Sequence, residues 1–366
     1  MLPPLPFALF PNPRFGTRRA DTLPNAVYQR AKAAITSWEG YAPTPLRELG
    51  TIARPANLAA IRLKDESSRF GLGSFKALGG AYAVACAPSE ARVVTCATDG
   101  NHGRAVAWGA QRFGRRCVIF VHESVSPVRV AAIARHGAEV RSIPGTYDDA
   151  VREAARQADE HGWYVVSDTS WPGYTNVPRL IMQGYRLMPD EAADQWTGPP
   201  PTHVFVQGGV GGVAAAVAVQ VRARFQPAPA LIVVEPDRAA CLLASAQLGE
   251  RTSIPGNLDT MMAGLACGEP SLLAWEDLNH SATAFMAIPD EAATATMRLL
   301  ADHGIVAGES GVAGLAGCLL AAADPAARET LGLDAASRVL AFSTEGATDP
   351  SLYMRFVGRS AQSVTI

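Results

Sequence analysis

The chain has 366 residues, of which 48% are hydrophobic and 18% are charged, and its formal net charge is -2. This length suggests two domains or one large α/β unit. The near-neutral charge creates no field that would attract a polyanion, so neither a nucleic acid nor an anionic membrane is the expected partner. No apolar run reaches the roughly 20 residues that a membrane span requires.

Targeting signals and cysteine usage point to the cytoplasm. The N-terminal stretch Met-Leu-Pro-Pro-Leu-Pro-Phe is interrupted by proline and lacks a basic start, so it does not resemble a secretory signal. The six cysteines show no Cys-x-x-Cys spacing, which favours free thiols in a reducing compartment. We therefore expect a cytoplasmic protein without a metal site.

Apolar strand-like runs alternate with helical segments from residue 64 onward. The predicted strands are 92–97, 117–121, 139–143, 163–166, 203–207, 231–235 and 338–343. The predicted helices are 103–113, 125–136, 147–161, 178–195, 211–225 and 290–303. Because continuous apolar strands between amphipathic helices are typical of parallel sheets covered on both faces, the pattern predicts an α/β fold.

Lys76 is one of only three lysines, and it follows Phe75 in the segment Gly-Leu-Gly-Ser-Phe-Lys-Ala-Leu-Gly-Gly at 71–80. Partial burial there would disfavour the charged form and leave a nucleophile that can form a Schiff base with a cofactor aldehyde. Arginine could not replace it, because a guanidinium does not deprotonate. The alternative is a surface lysine in a glycine-rich turn.

A second candidate for a functional segment is the loop Gly-Gly-Val-Gly-Gly at 208–212, which lies between a predicted strand and a predicted helix. Its backbone N–H groups and the helix dipole would suit a phosphate. Glu235 ends the next predicted strand, so a nicotinamide-dependent dehydrogenase is an alternative. However, the glycine spacing differs from G-x-G-x-x-G, and the loop lacks the lysine of a P-loop. A single phosphate monoester fits better, with a structural glycine turn as the remaining alternative.

Two acidic residues follow predicted strands. Asp99 lies in Thr-Asp-Gly-Asn-His-Gly-Arg at 98–104 and is either a general base or a helix cap, and His102 beside it is either catalytic or structural. Asp168 follows strand 163–166 and is either functional or the cap of a turn. Ligands in parallel sheets bind at the carboxyl ends of strands, where these residues are predicted to lie.

Taken in order, these segments resemble the fold-type II family of pyridoxal-phosphate enzymes, which includes threonine and serine dehydratases, tryptophan synthase β and cysteine synthase. The resemblance extends over roughly residues 40 to 350. Within the family, the segments 70–80, 98–104, 168–169 with 173–174, 182–185 and 343–346 are similar to the ammonia-lyases that act on 2,3-diaminopropionate. Asp99 is the residue that best distinguishes these ammonia-lyases from the rest of the family, because most other members have serine at this position. The chain departs from that pattern at Gly73-Ser74, Pro172 and Ala347.

The resemblance implies two open, mostly parallel twisted sheets flanked by helices. It also implies a large cofactor-binding domain of residues 1–79 and 174–366, with a small mobile domain, 80–173, inserted in it. A homodimer is implied as well.

The resemblance further implies pyridoxal 5'-phosphate as the cofactor and a role for each candidate. Lys76 would form the Schiff base, Phe75 would pack on the pyridine ring and Asn101 would contact the phenolic oxygen. The remaining cofactor contacts would come from Gly208, Gly209, Val210, Gly211 and Gly212 at the phosphate, Ser343 at the pyridine nitrogen, and Glu309. A hydroxyl at that nitrogen leaves the ring largely unprotonated, which favours elimination over transamination.

The implied activity is elimination of ammonia from the amino-acid substrate 2,3-diaminopropionate to give pyruvate. Lys76, Asp99 and Asp168 would be the catalytic residues, and the two carboxylates are candidate bases for the two enantiomers. The alternatives are a serine/threonine dehydratase or another β-eliminating or β-replacing enzyme of the same fold. A dehydrogenase and a non-catalytic binding module are alternatives from other classes.

Overall fold

The structure is a computed structural model that describes residues 2–17, 22–98 and 100–364. Its strands are β1 (Ala8–Pro11), β2 (Leu46–Glu48), β3 (Ala60–Asp65), β4 (Val93–Ala97), β5 (Arg116–His122), β6 (Glu139–Ile143), β7 (Tyr164–Val165), β8 (His203–Gln207), β9 (Ala230–Pro236), β10 (Ala284–Ile288) and β11 (Arg338–Ser343). Its helices are α1 (Asn25–Thr36), α2 (Gly50–Ala53), α3 (Ala77–Ala85), α4 (Asn101–Arg112), α5 (Pro127–Ala134), α6 (Tyr147–His161), α7 (Asn176–Tyr185), α8 (Leu187–Gln195), α9 (Gly212–Arg224), α10 (Cys241–Leu248), α11 (Leu272–Ser281), α12 (Asp290–Asp302), α13 (Ala313–Ala323), α14 (Pro325–Leu331), α15 (Pro350–Val357) and α16 (Ala361–Val364).

The strands form two sheets. The seven-stranded sheet has the order β1-β10-β9-β8-β11-β3-β2, in which the five central strands are parallel and the two edge strands are antiparallel to their neighbours. The four-stranded sheet, β6-β5-β4-β7, is entirely parallel. The predicted architecture of two mostly parallel sheets flanked by helices is therefore confirmed.

Alternate residues of the central strands pack into cores on opposite faces of the large sheet. In β8, Val204 and Val206 belong to one hydrophobic cluster, whereas Phe205 between them belongs to the other. All five residues of β8 are buried. Because helices cover both faces of the sheet, residues on both faces of this strand are buried. The strand is therefore a nearly continuous apolar run, as expected for a central parallel strand.

Some elements differ from the sequence prediction. The single helix predicted over 178–195 is wrong: the structure has α7 and α8 there, which meet at Arg186. Pro189 lacks the N–H that a continuous helix would donate to the carbonyl of Tyr185, so the hydrogen-bond ladder is interrupted. Strands β1, β2, β3 and β10 were not predicted. The five-residue apolar run of β10 could not be distinguished from a buried helix by periodicity.

A close helix crossing positions the start of α3, directly after Lys76. A Cβ on Gly184 of α7 would lie 1.9 Å from the carbonyl oxygen of Leu78. A Cβ on Gly79 of α3 would lie 2.4 Å from a ring carbon of Tyr185. Both glycines are therefore required for α3 and α7 to approach this closely.

Across the described ranges 2–17, 22–98 and 100–364, no helix combines the length and the apolar character needed to cross a bilayer.

Candidate active site

A cavity of about 380 Å³ lies between residues of the two sheets. It receives the ends of β4 and β8, the start of α9 and the segments that follow β7 and β11. The predicted site residues that line it are Phe75, Lys76, Asn101, Asp168, Gly209, Val210, Gly211, Gly212 and Glu309. Asp99 lies outside the described residues, although Thr98 and Gly100 on either side of it line the cavity.

The loop that carries Lys76 is attached to the turn after β11. Gly73 adopts a left-handed φ of 72°, and its carbonyl accepts a hydrogen bond from the N–H of Gly346 at 2.9 Å. The N–H of Phe75 donates to the carbonyl of Thr344 at 3.0 Å. Two motifs that are about 270 residues apart in the sequence are thus joined by backbone hydrogen bonds at one wall of the cavity.

Lys76 forms an ion pair with Asp168. Its Nζ lies 2.6 Å from Oδ2 of Asp168, and the two side chains are 21% and 19% exposed. Burial alone would lower the pKa of Lys76, but the carboxylate of Asp168 outweighs burial and raises it. The expectation that burial would leave this amine uncharged is therefore wrong for this structure, because the sequence did not reveal the nearby carboxylate.

Asp168 is correspondingly held in its ionised form. Burial would raise its pKa, but the attraction of Lys76 and then of His102 outweighs burial and lowers the pKa well below the ordinary value. His102 Nδ1 lies 3.8 Å from Asp168, and His102 Nε2 makes a 2.7 Å hydrogen bond with the carbonyl of Val166. The hydrogen bond fixes the histidine to the residue after β7, and its Nδ1 lies beside the carboxylate without a hydrogen bond to it.

Aromatic rings flank the lysine. Nζ of Lys76 lies 5.4 Å from the ring centre of Phe75 and 5.8 Å from that of Tyr185. The two rings are themselves 4.6 Å apart. This arrangement gives one side of the cavity an apolar surface suited to a planar heteroaromatic group.

The glycine-rich loop leads into the N-terminus of α9. Gly211 has a left-handed φ of 93° and precedes the first residue of the helix, Gly212. A Cβ on Gly209 would lie 3.1 Å from Sγ of Cys267, so this position leaves little room for a side chain. The first N–H groups of a helix have no intrahelical acceptor, and the first residues of α9, Gly212 and Val213, line the cavity, which suits phosphate binding.

Asn101 begins α4 and connects the two sheets. Its Nδ2 donates to a carboxylate oxygen of Glu345, and its Oδ1 accepts from Arg104 at 2.7 Å. The preceding turn is held by Thr98, whose Oγ1 accepts from the N–H groups of Gly100 and Gly103 at 3.0 Å each. The segment predicted around Asn101 is thus fixed beside the turn after β11.

Glu309 is buried with a second carboxylate and an arginine. Burial raises the pKa of Glu309 to about 7, and the nearby Glu345 adds to this rise, while Arg129 opposes it. Nη2 of Arg129 lies 2.7 Å from Oε1 of Glu309. Glu345 also accepts from the N–H of Ser310 at 2.9 Å.

Two other sequence candidates lie behind the cavity surface. Gly208 and Ser343 are buried, and neither lines the cavity. The hydroxyl of Ser343 donates to the carbonyl of Glu345 at 3.3 Å, whereas Thr344 lines the cavity and accepts from Gln207 at 2.6 Å. The roles of Gly208 and Ser343 remain predictions.

Glu235, on which the dehydrogenase alternative depended, caps a helix. Its two carboxylate oxygens accept from the N–H groups of Leu242 and Leu243 at 2.7 and 2.8 Å, and the side chain is fully buried. The carboxylate is therefore occupied by the start of α10 and does not reach a ribose hydroxyl, as a dinucleotide site would require.

Sequence reasoning assigned no role to Tyr185, Glu345 or Arg129, all of which line the cavity. Tyr185 and Glu345 lie in the segments 182–185 and 343–346, on which the family resemblance is based. Those motifs could therefore have indicated both residues as part of the site. Arg129 lies in an ordinary helical segment, and nothing in the local pattern distinguishes it from other surface arginines.

Comparison with known proteins identifies the family to which the chain belongs. Residues 38–343 match the family model described as pyridoxal-phosphate dependent enzyme. Since the match covers most of the chain, the protein belongs to this family, and pyridoxal phosphate is its cofactor.

More particularly, the chain is similar to diaminopropionate ammonia-lyases. It is 42% identical over 357 residues to that enzyme from Escherichia coli (strain K12), with 89% of each chain covered. It is 38% identical over 391 residues to the enzyme from Salmonella typhimurium, with 95% of this chain and 96% of the relative covered. The crystal structure of the Escherichia coli enzyme in complex with an aminoacrylate-PLP azomethine reaction intermediate superposes with a TM-score of 0.89, 39% identity and coverage of 96% and 97%.

The residues of the cavity fit this cofactor. An aldehyde can attach to the amine of Lys76, a phosphate can accept from the N–H groups at the start of α9, and a pyridine ring can pack beside Phe75 and Tyr185. Gly209, Gly211 and Gly212 line the cavity near the start of α9 and contribute no side chain there.

Proposed function

We propose that this protein catalyses the α,β-elimination of 2,3-diaminopropionate. One substrate molecule and one water give pyruvate and two molecules of ammonia. The observation that carries the proposal is the Lys76–Asp168 pair, 2.6 Å apart, in a cavity that also contains the N-terminus of α9. Similarity to diaminopropionate ammonia-lyases over about nine-tenths of the chain supports this substrate.

Bound pyridoxal phosphate withdraws electrons from the Cα of an amino acid and makes its proton easier to remove. The chain's own residues hold that group. Lys76 provides the amine for covalent attachment, and Phe75 provides an apolar contact for the ring. The polar contacts that we propose come from Asn101, Gly208, Gly209, Val210, Gly211, Gly212, Glu309 and Ser343.

Carboxylates provide the base and select the substrate. Asp168 is ionised and can accept a proton or attract a cation, and Asp99 is the second proposed base. Opposite unit charges about 4 Å apart attract by roughly 4 kcal/mol at an effective dielectric near 20. Half of that energy still exceeds the ~1.4 kcal/mol that corresponds to tenfold selectivity. The second ammonium of diaminopropionate gains this attraction, whereas the neutral hydroxyl of serine or threonine does not.

An assay of purified holoenzyme tests the substrate. Pyruvate, 2-oxobutyrate and ammonia are measured with D- and L-2,3-diaminopropionate, L-serine and L-threonine. We expect the highest kcat/KM with a diaminopropionate enantiomer and two ammonia per pyruvate. A higher kcat/KM with serine or threonine would instead identify a dehydratase.

Borohydride reduction followed by peptide mapping tests the attachment site. The other two lysines serve as internal controls, because Lys64 is fully buried beside Glu191, and Lys32 on α1 pairs with Asp190 on α8. We expect the reduced cofactor only on Lys76. Label on either of the other lysines, or on none of the three, would contradict the assignment.

The role of Asp99 has a separate test. If Asp99 is the base for one enantiomer, Asp99→Ser should lower kcat for that enantiomer at least about tenfold and leave cofactor affinity nearly unchanged, as expected when one general base is removed. Steady-state kinetics with each enantiomer and a cofactor titration measure the two effects. Unchanged turnover of both enantiomers would exclude Asp99 as a base.

We further propose that the enzyme is a cytoplasmic homodimer with a large domain of residues 1–79 and 174–366 and a small domain of residues 80–173. The separate four-stranded sheet, whose strands all lie between 93 and 165, supports this division. Buried thiols such as Cys96, Cys117 and Cys318 are consistent with a reducing compartment. Light scattering should give a mass near twice the 38.5 kDa of one chain. A mass near 38.5 kDa would contradict the dimer.

A further inference from the structure

Helix α5 belongs by chain order to the four-stranded sheet, yet its first turn contacts the other part of the molecule. Ser126 caps this helix by accepting from the N–H of Arg129 at 3.3 Å, and the same hydroxyl donates to Oδ2 of Asp349 at 2.8 Å. Oδ1 of Asp349 accepts from the first N–H groups of α15, which follows the last strand of the seven-stranded sheet. One hydrogen bond therefore joins the N-terminus of α5, which lies between two strands of the four-stranded sheet in the chain, to the N-terminus of α15, which follows the seven-stranded sheet.

Three residues after Ser126, and on the same face of α5, Arg129 makes a second link. Its Nη2 lies 2.7 Å from Glu309, and the two side chains are 15% and 4% exposed. The aliphatic part of Arg129 also lies against Gly100, since a Cβ on that glycine would be 3.3 Å from Cδ of Arg129. Arg129 therefore contacts the segment that begins α4 and the carboxylate of Glu309 at the same time.

The charges explain why an arginine is needed here. Glu309 and Glu345 are both nearly fully buried and repel each other. Asn101 donates to Glu345, and Arg129 donates to Glu309, so each carboxylate has a partner from the other side of the cavity. A buried carboxylate that loses its partner is strongly disfavoured, and the segment that held the partner loses its attachment.

We propose that Arg129 is a positioning residue of this active site, which holds Gly100 and the start of α4 against Glu309 and so keeps Asn101 in place for the reaction. The kinetic part of this inference rests on the proposed function. The geometric part does not, because the contacts of Arg129 with Gly100 and Glu309 can be tested without any substrate.

The variants are Arg129→Met, which keeps much of the aliphatic stem and removes the charge, and Arg129→Lys, which keeps the charge and removes the planar guanidinium. Arg135→Met is the matched control, because Arg135 follows the same helix and its side chain is exposed. Glu309→Gln and the double variant Arg129→Met/Glu309→Gln complete a double-mutant cycle.

Hydrogen–deuterium exchange of the holoenzyme gives the first readout. In Arg129→Met, we expect amides of 98–104 to exchange at least about tenfold faster, whereas Arg135→Met should match the wild type. In the kinetic readout, we expect Arg129→Met to lower kcat/KM for diaminopropionate at least about tenfold, mainly through kcat, and to change cofactor affinity less than threefold. Arg129→Lys should lie between wild type and Arg129→Met, and the double variant should lose no more than the worse single variant.

The inference is overturned if exchange of 98–104 is unchanged in both Arg129 variants, or if the kinetic effects of the two single variants multiply in the double variant. Should the wild type release no pyruvate from diaminopropionate, the proposed function fails. The exchange measurement then decides alone whether Arg129 holds this segment. If Arg129→Met does not fold, Arg129→Lys provides the same comparison.

Discussion

Lys76 and Asp168 lie 2.6 Å apart, and each changes the proton affinity of the other. Burial disfavours the charge on both groups, so an isolated lysine here would lose its proton more readily and an isolated aspartate would retain one. Because the two charges attract, both groups stay ionised, and the pKa of Lys76 is raised. Asp168 therefore controls when Lys76 becomes a nucleophile.

This control predicts the effect of Asp168→Asn. Asp168 is the largest influence that opposes burial, so without its carboxylate the pKa of Lys76 should fall. In protein stripped of cofactor, the pH at which an amine-selective reagent modifies Lys76 at half its maximal rate should then fall by at least about one unit, which corresponds to ~1.4 kcal/mol. Peptide mapping of the modified protein measures this, and Lys32 serves as the internal control. An unchanged profile for Lys76 would show that Asp168 does not set its protonation.

Glu235 is a second residue whose protonation state affects a property of the protein, in this case the free energy of unfolding. Burial raises its pKa from 4.5 to about 8, and hydrogen bonds from the N–H groups of Leu242 and Leu243 only partly oppose this. The native state therefore binds a proton more tightly here than the unfolded state does. The resulting stabilisation is fully present below pH 4.5 and is lost as the pH rises to about 8.

Glu235→Gln should remove this pH dependence. The free energy of unfolding of the wild type, minus that of the variant, should decrease between pH 5 and pH 8 by up to about 1.4 kcal/mol per pH unit. Urea unfolding at pH 5.5, 7.0 and 8.5 measures the difference, and the exposed Glu250, changed to Gln, is the matched control. A difference that grows with pH would show that Glu235 is ionised in the native state at neutral pH.

At the scale of elements, the crossing of α3 and α7 places the two aromatic rings and the lysine. Lys76 directly precedes α3, and Tyr185 is the last residue of α7. The helices meet through Gly79 and Gly184, where a Cβ would overlap atoms of the opposite helix. Any side chain at these positions must separate the helices and thereby move Lys76 relative to Tyr185.

Gly184→Ala should therefore destabilise the protein by about 1–3 kcal/mol, as overpacking does in a dense core. It should also weaken cofactor binding, which visible absorbance in a cofactor titration would report. The matched control is Gly50→Ala in α2, where the position of a Cβ is open. Ala is the better helix former, so the control should be neutral or gain up to about 1 kcal/mol in urea unfolding. Equal effects of the two substitutions would contradict the role of the crossing.

At the scale of the whole molecule, four buried charges connect distant parts of the chain. Lys64 in β3 and Arg69 after it both contact Glu191 in α8, each at 2.7 Å, and Arg69 also pairs with Glu66 at 2.8 Å. All four side chains are at most 4% exposed. The cluster contains two positive and two negative charges, so its net charge is zero. Removal of one charge would leave an opposite charge buried without a full partner.

Glu191→Gln should cost about 3–5 kcal/mol of stability, because Lys64 and Arg69 would then share one buried carboxylate, that of Glu66. Chemical unfolding measures the loss. The matched control is Glu48→Gln, which removes a 2.9 Å pair with Arg62 in which the glutamate side chain is 71% exposed. That substitution should cost at most about 1 kcal/mol. If both substitutions cost less than 1 kcal/mol, the buried cluster does not support the fold.

Local sequence patterns were sufficient to predict the α/β class, all four strands of the small sheet and the three central strands of the large sheet, β8, β9 and β11, because a central parallel strand is a continuous apolar run. They marked Lys76, Asp168 and the loop 208–212 as candidates but left a structural alternative for each, and the resemblance to a known family assigned their roles. They did not predict the four outer strands of the large sheet, β1, β2, β3 and β10, or the division between α7 and α8.

The tertiary structure alone decided which side chains face one another across the cavity. Asn101 contacts Glu345 across 244 positions, and Arg129 contacts Glu309 across 180. Periodicity extends over a few turns of a helix or a few residues of a strand, so it contains no information about such pairs. The charge of Lys76 is the clearest case. Its neighbours in the sequence predict burial, but the carboxylate of Asp168, 92 positions away, keeps the amine protonated.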